Sequence, residues 1–324
     1  MNSTKPNRGK EMSQQTGTGK YERLLERCKT LAPIPTAVAH PCEESALTAA
    51  VEAAQAGLID PILVGPAAKI EETARSANID LGKIEIVDAA HSVESAKKAV
   101  DLVKQGRAEV LMKGSLHSDE LLSAIVSRDG GLRTGRRVSH VSVMDVPTYH
   151  KVLVVTDAAI NIAPTLEDKV DICQNAIDLV TSLRHDKSEK PKVAILAAVE
   201  TVTTKMPATI DAAALCKMAE RGQIKGGILD GPLAFDNAIS KQAADTKGIK
   251  STVAGDPDIL LVPDLEAGNI LAKQLSFLAN ADSAGLVLGA KVPVILTSRA
   301  DSVRSRIASC AVATLVAYAR RSKL

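Results

Sequence analysis

Residues 292–321 read VPVILTSRADSVRSRIASCAVATLVAYARR. Val292 to Thr297 is a continuous apolar run of strand length, and the alanine-rich stretch 301–321 repeats its apolar residues with helical periodicity. Between the two, Thr297, Ser298, Arg299, Asp301 and Ser302 crowd into six positions. A strand that is apolar on both faces belongs in a sheet covered on both sides, which is the habit of parallel sheets. In such sheets ligands bind outside the carboxyl ends of the strands, so the polar cluster falls where a site is expected.

The same pattern runs through the chain. Strand-like runs occur at 36–40, 61–65, 83–87, 109–114, 151–157, 192–198, 226–231, 259–264 and 284–289, with helical patterns such as 43–58, 92–106 and 166–183 between them. The expected fold class is therefore α/β. Several runs end in polar residues: Lys113-Gly114-Ser115, Thr156-Asp157, Asp230-Gly231-Pro232 and Pro263-Asp264 join Ser298-Arg299. Repeated polar exits imply one shared cleft, although an Asp at a strand end also serves as an ordinary helix cap.

Segment 128–150, RDGGLRTGRRVSHVSVMDVPTYH, breaks the rhythm. A loop rich in glycine and arginine (Arg128, Arg133, Arg136, Arg137) feeds an alternating strand, with Val138, His140 and Ser142 set against Ser139, Val141 and Val143. It marks a boundary between two lobes. The expected division is a disordered tail over 1–20, a first α/β lobe over 21–147 plus 286–324, and a second over 148–285.

Composition removes several function classes. The formal charge of +2 arises in the first 20 residues, where Lys5, Arg8, Lys10 and Lys20 face only Glu11; residues 21–324 carry −1. With no Trp and two Phe, neither bulk charge nor an aromatic platform favours nucleic acid. The apolar runs fall far short of the roughly 20 residues of a membrane helix, and the first 20 residues lack the apolar core of a secretory signal. Five cysteines without a CxxC pair fit buried, reduced thiols in a cytoplasmic protein. The terminal Ser-Lys-Leu is either a peroxisomal address or a basic helix end.

Nucleotide and metal signatures are missing: there is no GxGxxG, GxxxxGK[ST], HExxH or GxSxG, and the six histidines lack metal-ligand spacing. What remains handles anions. Lys113-Gly114-Ser115, the arginine loop and Thr297-Ser298-Arg299 offer hydroxyls, helix-start N–H groups and guanidinium forks, all suited to phosphate.

The stretches LMKGSLHSDELLSAI, VSHVSVMDVP, VVTDAAINIAPTLEDKVDICQNAIDL, GGILDGPLAFDNAIS, AGDPDILLVPDLEAGNIL and VILTSRADS together resemble the phosphate acetyltransferase and phosphate butyryltransferase family over residues 30–318. The forms L-M-K-G and S-R-A-D-S look closer to the butyryltransferase-like branch. The resemblance implies two α/β lobes of isocitrate dehydrogenase-like architecture with mainly parallel sheets and an interlobe cleft, in a homodimer or larger homo-oligomer. It implies acyl transfer between CoA and inorganic phosphate by direct attack in a ternary complex, with both as substrates and no resident cofactor or metal.

By the same resemblance Ser298, Arg299 and Asp301 form the reaction centre. Lys113, Gly114, Ser115, Arg133, Ser139, His140, Asp157, Asn161, Asp230 and Asn269 bind substrate or brace the loops that do. Acetyltransferase members carry an Asp seven residues after the reaction-centre Ser; this chain has Ser305 there. Asp301 is left as either the base for the CoA thiol or the cap of the last helix. His140 is left as either a site residue or a core histidine. Two other functions remain open on sequence: a metal- and NAD-dependent dehydrogenase of similar architecture, and a non-catalytic acyl-CoA sensor.

Overall fold

The computed structural model describes residues 19–184, 186, 188–298 and 301–322. Arg299, Lys323, Leu324 and residues 1–18 of the expected tail lie outside the described residues. The strands are β1 (Ile34–Ala39), β2 (Ile59–Gly65), β3 (Glu85–Asp88), β4 (Val110–Lys113), β5 (Ser139–Asp145), β6 (Leu153–Thr156), β7 (Lys192–Leu196), β8 (Ile228–Leu233), β9 (Ile259–Leu261), β10 (Asp282–Leu288) and β11 (Val294–Ile295). The helices are α1 (Lys20–Cys28), α2 (Glu44–Gln55), α3 (Ala67–Ser76), α4 (Ser92–Lys104), α5 (Ser118–Val126), α6 (Leu166–Leu183), α7 (Pro207–Glu220), α8 (Phe235–Ile239), α9 (Lys241–Thr246), α10 (Leu265–Leu278) and α11 (Val303–Arg321).

Each strand falls in a segment that the sequence marks as apolar or alternating. Lys20, by contrast, was expected at the end of a disordered tail and instead opens α1. Its ammonium lies 2.9 Å from Asp145 and donates to the Val146 and Tyr149 carbonyls, so burial is compensated by charge and hydrogen bonds.

Among the described residues the strands form one sheet, in the order β3-β2-β1-β4-β11-β10-β5-β6-β9-β7-β8. The expectation of mainly parallel sheets holds for both wings; β10 pairs antiparallel with β11 and β5, and β5 with β6. The reason lies in the connections. Only a few residues separate β5 from β6 and β10 from β11, too few for the crossover that parallel neighbours need. The strands of the two wings consequently run in opposite directions.

One row of the register crosses ten strands: Ile86, Leu63, Val38, Met112, Ile295, Leu286, Val141, Thr156, Leu261 and Ile195. Most of these side chains belong to a single core cluster on one face of the sheet, covered by α2, α6 and α11. The opposite face is different. It carries two separate clusters, one around Leu111, Val287 and Leu296, the other around Met144, Val155 and Leu260.

Strand alternation puts Gly285, Ser142 and His140 on this second face, between the two clusters. None of the three supplies a large apolar side chain. Gly285 must stay bare, since a Cβ there would lie 2.5 Å from the Leu296 carbonyl oxygen. Small and polar residues at β10 and β5 thus divide one face of the core and leave a polar floor where the two wings meet.

Candidate active site

β1 and β4 are neighbours, yet from β1 the chain runs outward through β2 and β3 before returning. That reversal is a topological switch point, where open parallel sheets form their ligand crevice. The exits of β1, β4 and β11 converge there on a small notch lined by Glu43, Ser45, Ala46, Lys113, Gly114, Ser115, Thr297, Ser298 and Arg306. Four residues expected from sequence, Lys113, Gly114, Ser115 and Ser298, are brought together in it. Three larger cavities, of about 550, 520 and 440 Å³, hold none of the expected residues. We assign the site by the strand exits, because size alone says nothing about chemistry.

Close packing fixes the β4 exit. A Cβ on Gly114 would sit 2.4 Å from the Ala39 carbonyl oxygen and 2.6 Å from that of His40, so only glycine lets the two exits touch. The Ser115 hydroxyl donates to the His40 carbonyl at 2.7 Å and accepts from the Cys42 N–H at 3.1 Å. It stitches β4 to β1. Lys113 stands beside it, with only 6% of its surface exposed.

At the β11 exit Asp301 is not the cap of α11. Ser302 is, its side chain accepting from the Ser305 N–H at 3.1 Å. The Asp301 carboxylate instead accepts from the Ser298 N–H at 2.6 Å, while the Asp301 N–H donates to the Ser298 carbonyl. Ser298 and Asp301 are thus bonded to each other twice, and Ser298 is exposed. Ser305, in the first turn of α11, is buried.

The β6 exit has another character. The Asp157 carboxylate collects the N–H groups of Ala159, Ile160 and Asn161 and the Asn161 side-chain amide. The Asn161 amide also donates to the Val138 carbonyl, and its oxygen accepts from Arg137 Nε at 2.8 Å. Asn269, on α10, donates to the Ala158 carbonyl at 3.1 Å. These three expected residues brace one loop and present Arg137.

His140 stands level with Asp157 in the sheet, on the floor between the wings. Its ring donates to the Leu296 carbonyl, and Nδ1 is buried without a partner among the described residues. Burial pushes its pKa below the ordinary value, and the carboxylates of Asp157 and Asp301 only partly oppose that shift. It joins the β6 and β11 exits. Ser139, its neighbour, points to the other face and accepts from the Asn175 amide at 2.9 Å.

Two expected residues stay apart. Arg133 is exposed and makes no hydrogen bond or ion pair with any described residue. Asp230 lies on β8, the outermost strand, six strands from β11 or roughly 29 Å along the sheet at the usual spacing. Its carboxylate accepts from the adjacent Gly231 N–H.

The sequence assigns no role to Arg306 and does not single out Arg137 within the arginine loop. Arg137 was one of four in the loop, and only its position directly before the strand sets it apart. Arg306 was hidden in a helical pattern, although a charged residue among the buried positions of an alanine-rich helix is a signal. No cluster of three or more metal-ligating side chains occurs among the described residues. The thiols are not nucleophiles in waiting, since burial pushes Cys28 up to about 11 and Cys173, Cys216 and Cys310 to about 12.

Residues 91–314 match the family model described as phosphate acetyl/butaryl transferase. This chain belongs to that family. It is 62% identical over 303 residues to a phosphate acetyltransferase of Rhizobium meliloti, covering 94% of this chain and 95% of the relative. It is 42% identical over 297 residues to a phosphate butyryltransferase of Clostridium beijerinckii, covering 92% of this chain and 97% of the relative. A solved branched-chain phosphotransacylase from Enterococcus faecalis V583 superposes with a TM-score of 0.74 at 29% identity, covering 87% of this chain and 99% of that one.

Proposed function

We propose that this chain transfers a short acyl group reversibly between CoA and inorganic phosphate, acetyl being the first candidate. The observation that carries this reading is the coincidence of family membership with an anion-lined notch at the switch point of the sheet. Acetyl is favoured over butyryl by identity, 62% to an acetyltransferase against 42% to a butyryltransferase.

In the proposed reaction a phosphate oxygen attacks the thioester carbonyl carbon. The tetrahedral oxyanion collapses, the C–S bond breaks, and the departing CoA thiolate takes the proton that the attacking hydrogen phosphate gives up, leaving as the thiol. Two anions must be held together, so cations supply both proximity and charge neutralisation. Ser298, exposed at the β11 exit, hydrogen-bonds the thioester, and Arg299 beside it in sequence stabilises the oxyanion. Asp301 holds the turn through one carboxylate oxygen and keeps the other for the thiol proton. Lys113 and Arg137 attract the phosphate groups from the two sides of the floor.

We take the chain as two lobes, 21–147 with 286–324 and 148–285, the division following the reversal of strand direction. We further propose a cytoplasmic homodimer. Support for the dimer is an apolar patch on α10, where Ile270, Phe277 and Leu278 are 66%, 72% and 77% exposed, with Ile162, 74% exposed, joined through its carbonyl to the Leu265 N–H. Support for the compartment is the set of free thiols. No helix among the described residues is long and apolar enough to cross a membrane.

The test is release of CoA thiol from acetyl-, propionyl- and butyryl-CoA, with and without phosphate, in the presence of EDTA. Release that requires phosphate is the expected result, fastest with acetyl-CoA. Release from none of the three sinks the proposal, and Arg299→Ala retaining near-normal turnover sinks the assignment of the β11 exit.

A further inference from the structure

Arg306 is a buried charge with few compensating contacts among the described residues. It is 4% exposed, and it forms no ion pair with any described residue. Its only hydrogen bonds among the described residues are long ones to backbone carbonyls, 3.3 Å from Nη2 to Ser298 and 3.5 Å from Nε to Asp301, and Nη1 donates to no described atom. Burying a guanidinium without a carboxylate is costly, and such a charge persists where an anion completes it.

The surroundings agree on the sign. Lys113, 6% exposed, lines the same notch. The opposite wall is the start of α2, where Glu43 occupies the cap position in extended conformation and its side chain caps nothing. Ala46 and Leu47 donate their N–H groups to the Glu43 carbonyl, those of Glu44 and Ser45 meet no acceptor among the described residues, and with Ser45 and Ala46 lining the notch the positive end of the helix dipole lies at it. Glu43 is solvent-exposed at the rim, and no other lining residue is acidic. The enclosed space is about 10 Å³, room for one water-sized group, so an oxyanion sits at the open mouth and directs one oxygen inward.

We infer that Arg306, with Lys113 and the start of α2, binds a phosphoryl oxyanion of a substrate at the mouth of this notch. The inference rests on the proposed acyl transfer. Because Arg306 also bonds both ends of the 298–301 turn, an anion drawn to its guanidinium is held against the Ser298 backbone. Two sources share this chemistry: inorganic phosphate as the attacking group, and the phosphate groups of CoA.

Arg306→Gln and Arg306→Lys separate the possibilities in steady-state kinetics with acetyl-CoA and inorganic phosphate. We expect Arg306→Gln to raise the KM of the substrate bound there by about tenfold or more, with the other KM within about twofold, and the lysine variant to recover part of the loss. A rise for phosphate assigns the site to the attacking group; a rise for acetyl-CoA assigns it to CoA. If neither KM moves, whatever happens to kcat, Arg306 merely holds the turn and the inference is overturned. Should Arg306→Gln fail to fold, Arg306→Lys is compared with the native protein by the rise in thermal midpoint on adding inorganic phosphate at matched ionic strength. An undiminished rise overturns the assignment to inorganic phosphate, and the lysine variant's KM for acetyl-CoA then tests the assignment to CoA. Absence of phosphate-dependent turnover in the native protein would instead count against the proposed activity, so the two failures read differently.

Discussion

The exits of β11 and β6 end at the same register row, three strands apart or roughly 14 Å along the sheet, and both are dense in polar residues. Their hydrogen bonds separate them. At β6, Asp157 meets four donors, Asn161 is bonded through both ends of its amide, and Asn269 ties the loop to α10. At β11 the turn closes through Asp301, and two buried cations stand beside an uncapped helix start. At β6 the carboxylate and amides are satisfied within the loop; at β11 the buried Arg306 guanidinium has only long bonds to described backbone carbonyls. A motif rich in Asp and Asn can therefore be scaffold, and the site is marked by what remains after internal bonding is complete.

The largest expected effect tests that contrast directly. Asp157→Ala leaves three backbone N–H groups in a partly buried turn, and the buried Asn161 amide, without their acceptor, and we expect a loss of about 3 kcal/mol in stability by urea unfolding. Ser298→Ala should do the reverse, lowering kcat about 100-fold as for loss of a transition-state donor, with the unfolding midpoint unchanged. If Asp157→Ala kept its stability and lost only turnover, the β6 exit would belong with the ligand contacts.

Next in size is the response to pH at the floor between the exits. Burial depresses the pKa of His140 below its ordinary 6.5, despite Asp157 and Asp301 nearby. Above 6.5 the ring is neutral in both the folded and the unfolded chain and contributes nothing to the pH dependence. As pH falls through 6.5 the unfolded chain takes up a proton that the folded one refuses, so stability is lost on acidification. His140→Gln keeps a donor for the Leu296 carbonyl and removes the titration. Its stability should fall less than the native protein's between pH 7 and pH 5. Parallel curves for the two proteins would remove His140 from the coupling between the exits.

The strands were legible because a continuous apolar run bounded by polar exits is long enough to cross a covered sheet and too short for a buried helix, and each strand lies where its run stands. The reversal at β5 and β10 was not, since direction follows from loop geometry and partner choice rather than from any local pattern. At the site, Lys113, Gly114, Ser115 and Ser298 were legible as exits that converge. Arg306 was missed because its partners are backbone carbonyls eight and five positions back, which leave no trace in composition. Ser139 and His140 were paired by adjacency, and strand alternation sends them to opposite faces. Asp230 followed the same motif logic as Asp157, yet sheet order sets it at the far edge.

The smallest effect is expected at Asn269, and it sharpens the comparison most because the two alternatives differ in kind. As a brace, Asn269 contributes one hydrogen bond to the Ala158 carbonyl, so Asn269→Ala should cost about 1 kcal/mol in stability. Both KM values should then stay within about twofold, because the removed atoms touch the loop and not the substrate. As a ligand contact, the same substitution would raise one KM and leave the unfolding midpoint where it was. Measuring midpoint and KM on the same preparation separates the two. A selective rise in KM would show that Asn269 reaches past its loop, and the boundary between scaffold and site would move one residue along α10.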